Sequence, residues 1–297
     1  MGVSDVPRKM FSMNKRLLGE SISSLRKNSK VTFGALAYLS TIFLSFVILM
    51  TFPLQSRLIG YADPLLPPSH EHPLGTDILG REIIVLLAES IINSTVIGII
   101  AAIIGTLAGS LIGFIGGYYG GKIDYILRLF TDVFLSVPSL LFLVLISSLV
   151  RTVTIVQMGL LIALFAWSWP ARQVRAQALS LKEREFIYLS ELSGEGKLEI
   201  VFREMMPHMV PWMTANFVNA FISAILTEAG LSILGLGPQT EMTLGILLWW
   251  PLNNAAIYRG IWWWWAPPII ALICLFFTLY IVQLGITEII NPRSRVI

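Results

Sequence analysis

The sequence predicts an all-α integral membrane protein with six transmembrane helices. Two observations carry this prediction. Of the 297 residues, 55% are hydrophobic and 13% are charged, whereas about a quarter of a soluble domain is charged. Apolar stretches of about 20 residues, the length that crosses a bilayer, also recur along the chain. This composition excludes a soluble enzyme and a secreted disulfide-stabilised domain, and a net charge of +3 gives no reason to expect nucleic acid as a partner.

The apolar stretches place the six spans in order. They lie at residues 32–53, 91–117, 127–149, 153–170, 210–236 and 266–289. An even number of spans puts both termini on one side of the membrane. That side carries 17 Lys and Arg residues in its connecting segments and the other side carries 4, so the positive-inside rule predicts cytoplasmic termini. Residues 1–31 form a cytoplasmic N-terminal segment in this scheme, and residues 32–297 form the transmembrane domain.

Three connections are long enough to carry function: residues 54–90 and 237–265 outside, and residues 171–209 inside. The inside connection holds 12 charged residues together with apolar residues at helical spacing. We expect two or three short helices there, broken at Gly194 and Gly196. A solvated loop that rests on its own bundle is one interpretation. The combination of exposed charge and an uncovered apolar stripe favours a docking surface for a soluble partner.

Four glycines repeat at intervals of four residues in the second span: Gly105, Gly109, Gly113 and Gly117. This spacing puts them on one helix face, where another helix can approach closely. The sequence GGYYGGK that follows imitates a phosphate-binding loop. However, Ile123 stands where magnesium binding requires Ser or Thr, so we expect any nucleotide to be bound by another chain.

Ionisable residues at membrane depth are costly and need a partner or a water-filled path. Asp124, Arg128 and Asp132 have the spacing of an ion-pair ladder on one helix, which is favoured over a proton relay. Glu228 has no charged neighbour in the sequence. Helix packing and a place in a translocation path are equally open for it.

Two further groups of residues have a plain interpretation. His70, Glu71 and His72 lie in a loop without the helical spacing of a hydrolytic zinc motif, so we expect no metal site. Tryptophans cluster in the second outside connection and at the entry of the sixth span, at 249, 250 and 262–265. An interfacial aromatic belt is the simpler explanation, and stacking against a transported sugar or aromatic side chain is the alternative.

Five blocks of sequence, in order, resemble the membrane-spanning permease subunit of ABC importers, specifically the second permease of the dipeptide and oligopeptide transporter group. The resemblance covers nearly everything from residue 20 onward and implies a type I importer fold. The blocks are HPLGTDILGRE at 72–82, GYYGGKIDYILRLFTDVFLSVPSLL at 117–141, ARQVRAQALSLKEREF at 171–186, LTEAGLSILGLG at 226–237 and NPRSR at 291–295.

In that family the cytoplasmic connection carries a Glu-Ala-Ala motif, which forms the coupling helix seated in a groove of the ATPase. Gly194 matches the glycine of the motif, but the triplet itself is lost here, and Glu185 or Glu191 could replace its glutamate. The residues that the resemblance implies for ATPase coupling are Arg184, Glu185, Tyr188, Leu189, Ser190, Glu191, Gly194, Ile200 and Pro207. We refer to residues 171–209 as the coupling segment.

The resemblance implies a non-enzymatic permease subunit of an ATP-driven, binding-protein-dependent importer in the plasma membrane of a prokaryote. Its implied partners are a sister permease, two ATPase subunits that hold ATP and Mg, and an extracytoplasmic substrate-binding protein, while this chain binds no cofactor itself. Asp132, Ser136, Pro138 and Glu228 are the candidates for the translocation path. Peptides are the expected cargo, and oligosaccharides or nickel complexes are alternatives within the same class.

A freestanding secondary carrier is the competing interpretation from another class. Such a carrier is expected to show an internal repeat and broken helices with ion sites at the midplane, and the two halves of this sequence show no convincing duplication. An intramembrane enzyme is less favoured, because the sequence contains neither HExxH nor GxSxG. An importer subunit is expected to copurify with ATPase chains, whereas a carrier or an enzyme is expected to be active alone.

Overall fold

The computed structural model describes residues 23–150 and 152–291. Most of the predicted N-terminal segment and of the NPRSR block, and Arg151 of the charge count, lie outside the described residues. Within these bounds the chain is helical. The main helices are α1 Ser29–Thr51, α2 Ile83–Tyr119, α3 Gly121–Ser136, α4 Ser139–Leu149, α5 Ile155–Ala166, α6 Ser168–Lys182, α7 Glu185–Leu192, α8 Val210–Ile233, α9 Leu244–Asn253 and α10 Trp262–Ile290.

The helices confirm the predicted all-α membrane architecture. Helices α1, α2, α8 and α10 are each long and apolar enough to cross a bilayer. The pairs α3–α4 and α5–α6 add two crossings when each bent pair is counted as one span. The helices do not test the cytoplasmic placement of the termini or the division at residue 31, which stay predictions.

Helix α2 is longer than its predicted span. It has 37 residues and begins at Ile83, whereas the apolar window begins at residue 91. The first outside connection therefore ends at residue 82 instead of residue 90. Glu89, the acidic residue of the first turns, shortened the window, but its carboxylate lies 3.7 Å from the guanidinium of Arg57. An ion pair of this kind lowers the cost of placing Glu89 within an otherwise apolar helix.

Two of the predicted spans are bent, which the apolar windows did not indicate. The axes of α3 and α4 meet at 77°, where Val137 takes an extended conformation with ψ of 128°. The proline that follows it disfavours the helical conformation of the preceding residue. The axes of α5 and α6 meet at 41° near Trp167, and Pro170 lacks the N–H that would bond to the carbonyl of Ala166. Broken helices are thus present, although we expected them of the competing carrier class.

The glycine face of α2 packs against α5 and α6, as the four-residue spacing predicts. A Cβ atom added to Gly105 would lie 2.7 Å from the Cβ of Ala166, and one added to Gly117 would lie 2.6 Å from the Cβ of Ala178. These distances leave no room for a methyl group. The glycines therefore let α2 and the α5–α6 pair approach until their backbones touch.

The tryptophan cluster is only partly an interfacial belt. Trp264 is fully buried in a core with Ile83 and Ala256, and the guanidinium of Arg81 lies 5.5 Å from the ring centre of Trp250. The belt interpretation is wrong for Trp264, because the first outside connection folds over the start of α10 and covers it. Trp262, at the rim, is half exposed and fits the belt.

Candidate coupling site and membrane cavities

Helix α7, inside the coupling segment, has two different faces. Ile187 and Ser190 are fully buried and point toward the bundle. On the opposite face Tyr188, Leu189 and Leu192 are 62%, 59% and 69% exposed. A cluster of large apolar side chains at the tip of a loop is typical of a protein interface.

The buried face of α7 belongs to a core that includes residues of α2, of α6 and of the segment before α8. Phe186 of α7 adds a stacking contact with the ring of His208, with 4.6 Å between the ring centres. The core residues around Ile187 are Phe114 and Tyr118 of α2, Val174 and Ala178 of α6, and Ile200, Val201, Met205 and Met209 of the segment that returns to α8. Because a close-packed core transmits displacement, a movement of α7 must move α2 and α6.

Polar contacts add to this attachment. The Tyr118 hydroxyl donates a hydrogen bond of 2.9 Å to the Glu191 carboxylate. The Lys182 ammonium donates one of 2.8 Å to the Tyr118 carbonyl. Glu191 is therefore engaged within the chain. Glu185 is exposed and makes no hydrogen bond or ion pair with the described residues, so it is the better placed of the two glutamates to meet a partner. Arg184 is also exposed, at the position before α7.

The break that follows α7 lies where the glycines predict it. The helix ends at Leu192, and helical structure resumes at Lys197. Gly194 has a φ of +80°, a conformation that glycine adopts without strain. In this turn, burial and the nearby carboxylates of Glu204 and Glu199 raise the pKa of the Glu195 carboxyl.

The chain returns to the membrane through a π-helix. It covers Ile200–Met205, a form that recurs at functional sites. The side chains of Ile200 and Pro207 are buried and thus serve the attachment of the segment, not its exposed surface. Together with Ser190, they form the inward-facing part of the residues predicted for coupling.

The predicted ion-pair ladder on α3 is wrong in one of its pairs. Asp124 does not pair with Arg128 but accepts two hydrogen bonds from the guanidinium of Arg175 on α6, one of them at 2.6 Å. The glycine face of α2 lets α6 approach closely, which places Arg175 of α6 beside α3. The planar guanidinium of Arg175 then reaches both carboxylate oxygens of Asp124. Arg128 and Asp132 do pair, at 3.5 Å, on an exposed surface.

Glu228 joins three helices. Its fully buried carboxylate accepts hydrogen bonds from Ser94 of α2 at 3.0 Å, from Ser232 of α8 at 2.6 Å and from Thr243 at 2.5 Å. The Ser94 hydroxyl in turn accepts from the backbone N–H of Leu244, at the start of α9. The carboxylate therefore holds α9 against the bundle, which gives it a packing role.

One cavity among the described residues, which we call the bend cavity, has a volume of about 290 Å³. It lies between the α3–α4 bend, the α5–α6 bend and α8. Of the residues predicted for the path, Ser136 and Pro138 flank lining residues at the first bend, and Asp132 lines a separate pocket of about 230 Å³ with three arginines. Glu228 lines neither cavity. The path assignment of these four residues stays a prediction.

The histidine-rich loop places one of its histidines against a carboxylate. His72 Nδ1 contacts the carboxylate of Glu82 at the start of α2. Within residues 23–150 and 152–291 no three His, Cys, Asp or Glu side chains are grouped so that they could hold a metal ion.

Comparisons with known proteins agree with this architecture. Residues 105–296 match the family described as binding-protein-dependent transport system inner membrane component. The chain is 29% identical over 239 residues to the oligopeptide transport system permease protein OppC of Lactococcus lactis strain IL1403, covering 79% of this chain and 81% of that protein. It is 30% identical over 254 residues to OppC of Bacillus subtilis strain 168, with the same coverage. OppC of Mycobacterium tuberculosis strain H37Rv is 28% identical over 186 residues, which cover 62% and 64% of the two chains.

Proposed function

Because the chain belongs to the binding-protein-dependent transport system inner membrane components, and within them to the ABC importer permeases of the oligopeptide group, we propose that it forms one half of the translocation path of an ATP-driven peptide importer. It is a multi-pass protein of the bacterial cell membrane. Its relatives are named for oligopeptide transport, which supports peptides as cargo over oligosaccharides or nickel complexes.

The observation that carries the coupling role is the two-faced helix α7. Its exposed apolar face, formed by Tyr188, Leu189 and Leu192, is the surface on which an ATPase subunit docks. Its buried face shares a core with α2 and α6. A docked ATPase that moves α7 therefore moves α6, which lines the bend cavity, and α2, which packs against α6.

The mechanism is a shift between two arrangements of the bundle. Two partner ATPases bind ATP with Mg²⁺, and ATP stabilises their closed form over the open form. Closure displaces α7, and the bundle follows as a rigid body, so that the path opens first to one side and then to the other. A sister permease supplies the other half of the path, and an extracytoplasmic binding protein delivers the peptide. This chain itself hydrolyses no ATP and binds no cofactor.

Replacing Leu189 with aspartate is expected to remove the ATPase from the complex. The change puts a charge in the centre of the exposed apolar face, where docking would strip it of water. The amount of ATPase that copurifies with the chain in mild detergent should fall at least about tenfold, since one unpaired buried charge costs several kcal/mol. Leu58→Asp is the control, because Leu58 is equally exposed (62%) but lies in the first outside connection. Full ATPase recovery with Leu189→Asp would contradict the docking role.

Replacing Gly194 with valine is expected to uncouple transport from ATP hydrolysis. A valine at this position would have to adopt a φ of +80°, which costs about 1–2 kcal/mol for a residue with a Cβ atom. The turn that orients α7 would therefore be displaced. Peptides taken up per ATP hydrolysed should fall about tenfold in proteoliposomes, with membrane insertion unchanged. Gly196→Val is the matched control, because Gly196 has an ordinary φ of −67° and open space around it. Equal coupling ratios in both variants would refute the role of the turn.

A further inference from the structure

A second, smaller cavity adjoins the bend cavity. This end cavity has a volume of about 160 Å³ and reaches Gln283 and Thr287 in the last turns of α10. Trp169, Asn216 and Asn219 line both cavities, so the two lie side by side along α8, and we refer to them together as the groove. The groove runs from the helix bends in the middle of the chain to the end of the last helix.

The described lining of this groove mixes apolar and neutral polar side chains. Neither cavity is lined by Asp, Glu, Lys, Arg or His. Along α8 the polar side chains Asn216, Asn219, Ser223 and Thr227 succeed one another at intervals of three or four residues and therefore share one helix face. This face differs from the adjoining pocket, where three arginines and Asp132 meet.

Several amides in the groove lack partners within the part of the chain that the structure describes. The Asn219 side chain makes no hydrogen bond there, and neither does that of Gln173, which lines the end cavity. The Oε1 atom of Gln283 is buried without a hydrogen-bond partner. Asn216 is the contrasting case, because its amide donates to the Trp212 carbonyl at 3.0 Å. A buried polar atom in a native protein is nearly always paired, so Gln283 Oε1 points to a polar ligand. The half-buried amides of Asn219 and Gln173 are available to bind the same ligand.

We propose that Asn219, Gln173 and Gln283 form a neutral hydrogen-bonding wall of the path, which takes the backbone N–H and C=O groups of a passing peptide. A carboxamide both donates and accepts hydrogen bonds, as a peptide unit does. A wall without charge holds the backbone and neither attracts nor repels ionised side chains, so peptides of either charge pass equally well. The inference rests on the proposed peptide-import function and names the side chains that meet the cargo. They are additional to Asp132, Ser136, Pro138 and Glu228, whose place in the path stays a prediction.

The test introduces a charge without changing the shape of the wall. Asn219→Asp is nearly isosteric, so the importer should assemble as the wild type does. The purified importer, with its partner permease, ATPases and binding protein, is reconstituted in liposomes. The probes are trialanine and its derivatives with a central glutamate or lysine. The ratio of glutamate-peptide uptake to lysine-peptide uptake should fall about tenfold relative to wild type, because like charges a few Å apart repel strongly in a protein interior.

Asn253→Asp is the matched control, since Asn253 is exposed on α9 and lines neither cavity. Its uptake ratio should equal that of the wild type. The binding protein is the same in all samples, so its own preference cancels in the comparison. If Asn219→Asp does not assemble, Gln283→Glu places the same charge in the end cavity from another helix and carries the same expectation.

The outcomes separate this inference from the function on which it rests. Wild-type uptake of peptides with an unchanged ratio in the assembled variant would overturn the neutral wall and leave the importer intact. The absence of ATP-dependent uptake of every probe by the wild-type importer would overturn the peptide function, and the wall with it. A ratio that also falls in Asn253→Asp would show a general charge effect and would overturn the assignment to the groove.

Discussion

Replacing Gly109 with valine is expected to abolish the folded helix bundle. A Cβ atom at this position would lie 2.8 Å from the Cβ of Pro170 and 2.9 Å from the backbone nitrogen of Ala171. The second of these is backbone and cannot rotate away. Helices α2 and α6 would have to separate, which breaks the packing along the whole glycine face. We expect a loss of more than about 3 kcal/mol, the upper range for overpacking of a core.

The measurement for Gly109→Val is the recovery of monodisperse protein from detergent-solubilised membranes. Recovery should fall at least tenfold, because a loss of about 1.4 kcal/mol in folding free energy already lowers the ratio of folded to unfolded protein tenfold. Gly230→Val is the matched control. Gly230 also lies in a membrane helix, α8, but no heavy atom lies within 4 Å of an added Cβ. Normal recovery of Gly109→Val would mean that the close approach of α2 and α6 is not required for folding.

Replacing Glu228 with leucine is expected to detach α9 from the bundle. The change leaves the hydroxyls of Ser94, Ser232 and Thr243 without their shared acceptor, and each unsatisfied buried group costs about 1–3 kcal/mol. Thermal unfolding in detergent should begin at a clearly lower temperature. Limited proteolysis should cut the connection between α8 and α10 first, because the carboxylate is one of the links that join α9 to α2 and α8.

Glu228→Gln is the conservative control for this loss. The amide keeps one oxygen that can accept from Ser232 and Thr243, so it should retain most of the stability and of the protease resistance. If Glu228→Leu unfolds at the wild-type temperature and resists protease equally well, the carboxylate is not what holds α9. Its position would then have to be explained by a role in the path.

The sequence predicts the features of this fold that depend on local composition. Six apolar windows predict the approximate positions of the spans, because bilayer thickness sets their length, but they miss the early start of α2 and the two bends. The glycines of α2 predict the close approach of another helix, because a spacing of four residues places them on one helix face. The break at Gly194 is also predicted locally, because glycine readily adopts the positive φ that ends a helix.

The features that the sequence did not predict depend on contacts between distant residues. Asp124 pairs with Arg175, 51 residues away, and not with its neighbour Arg128, because helix packing decides which charges meet. Glu228 finds its partner Ser94 at a distance of 134 residues. Trp264 is buried by a connection nearly 200 residues earlier in the chain, so its surroundings cannot be read from its own segment.

The candidate site divides in the same way. The coupling segment stands out locally, because charged and apolar residues alternate there, and the structure shows which face of α7 is exposed. The groove does not stand out, because single Asn and Gln residues in apolar helices carry little signal. They become a shared surface only when α6, α8 and α10 pack together. The sequence favours Asp132, Ser136, Pro138 and Glu228 for the path, and this prediction stands beside the neutral amides proposed in the groove.

The central claim is that this chain is one subunit of an ATP-driven importer. It is tested most directly by isolating the chain from its native membranes in mild detergent and identifying the chains that accompany it. The account predicts a second six-span permease and two ATPase subunits, and peptide uptake that requires ATP when the assembly is reconstituted with its binding protein. Isolation of the chain alone, with transport activity in liposomes that lack ATP, would contradict it.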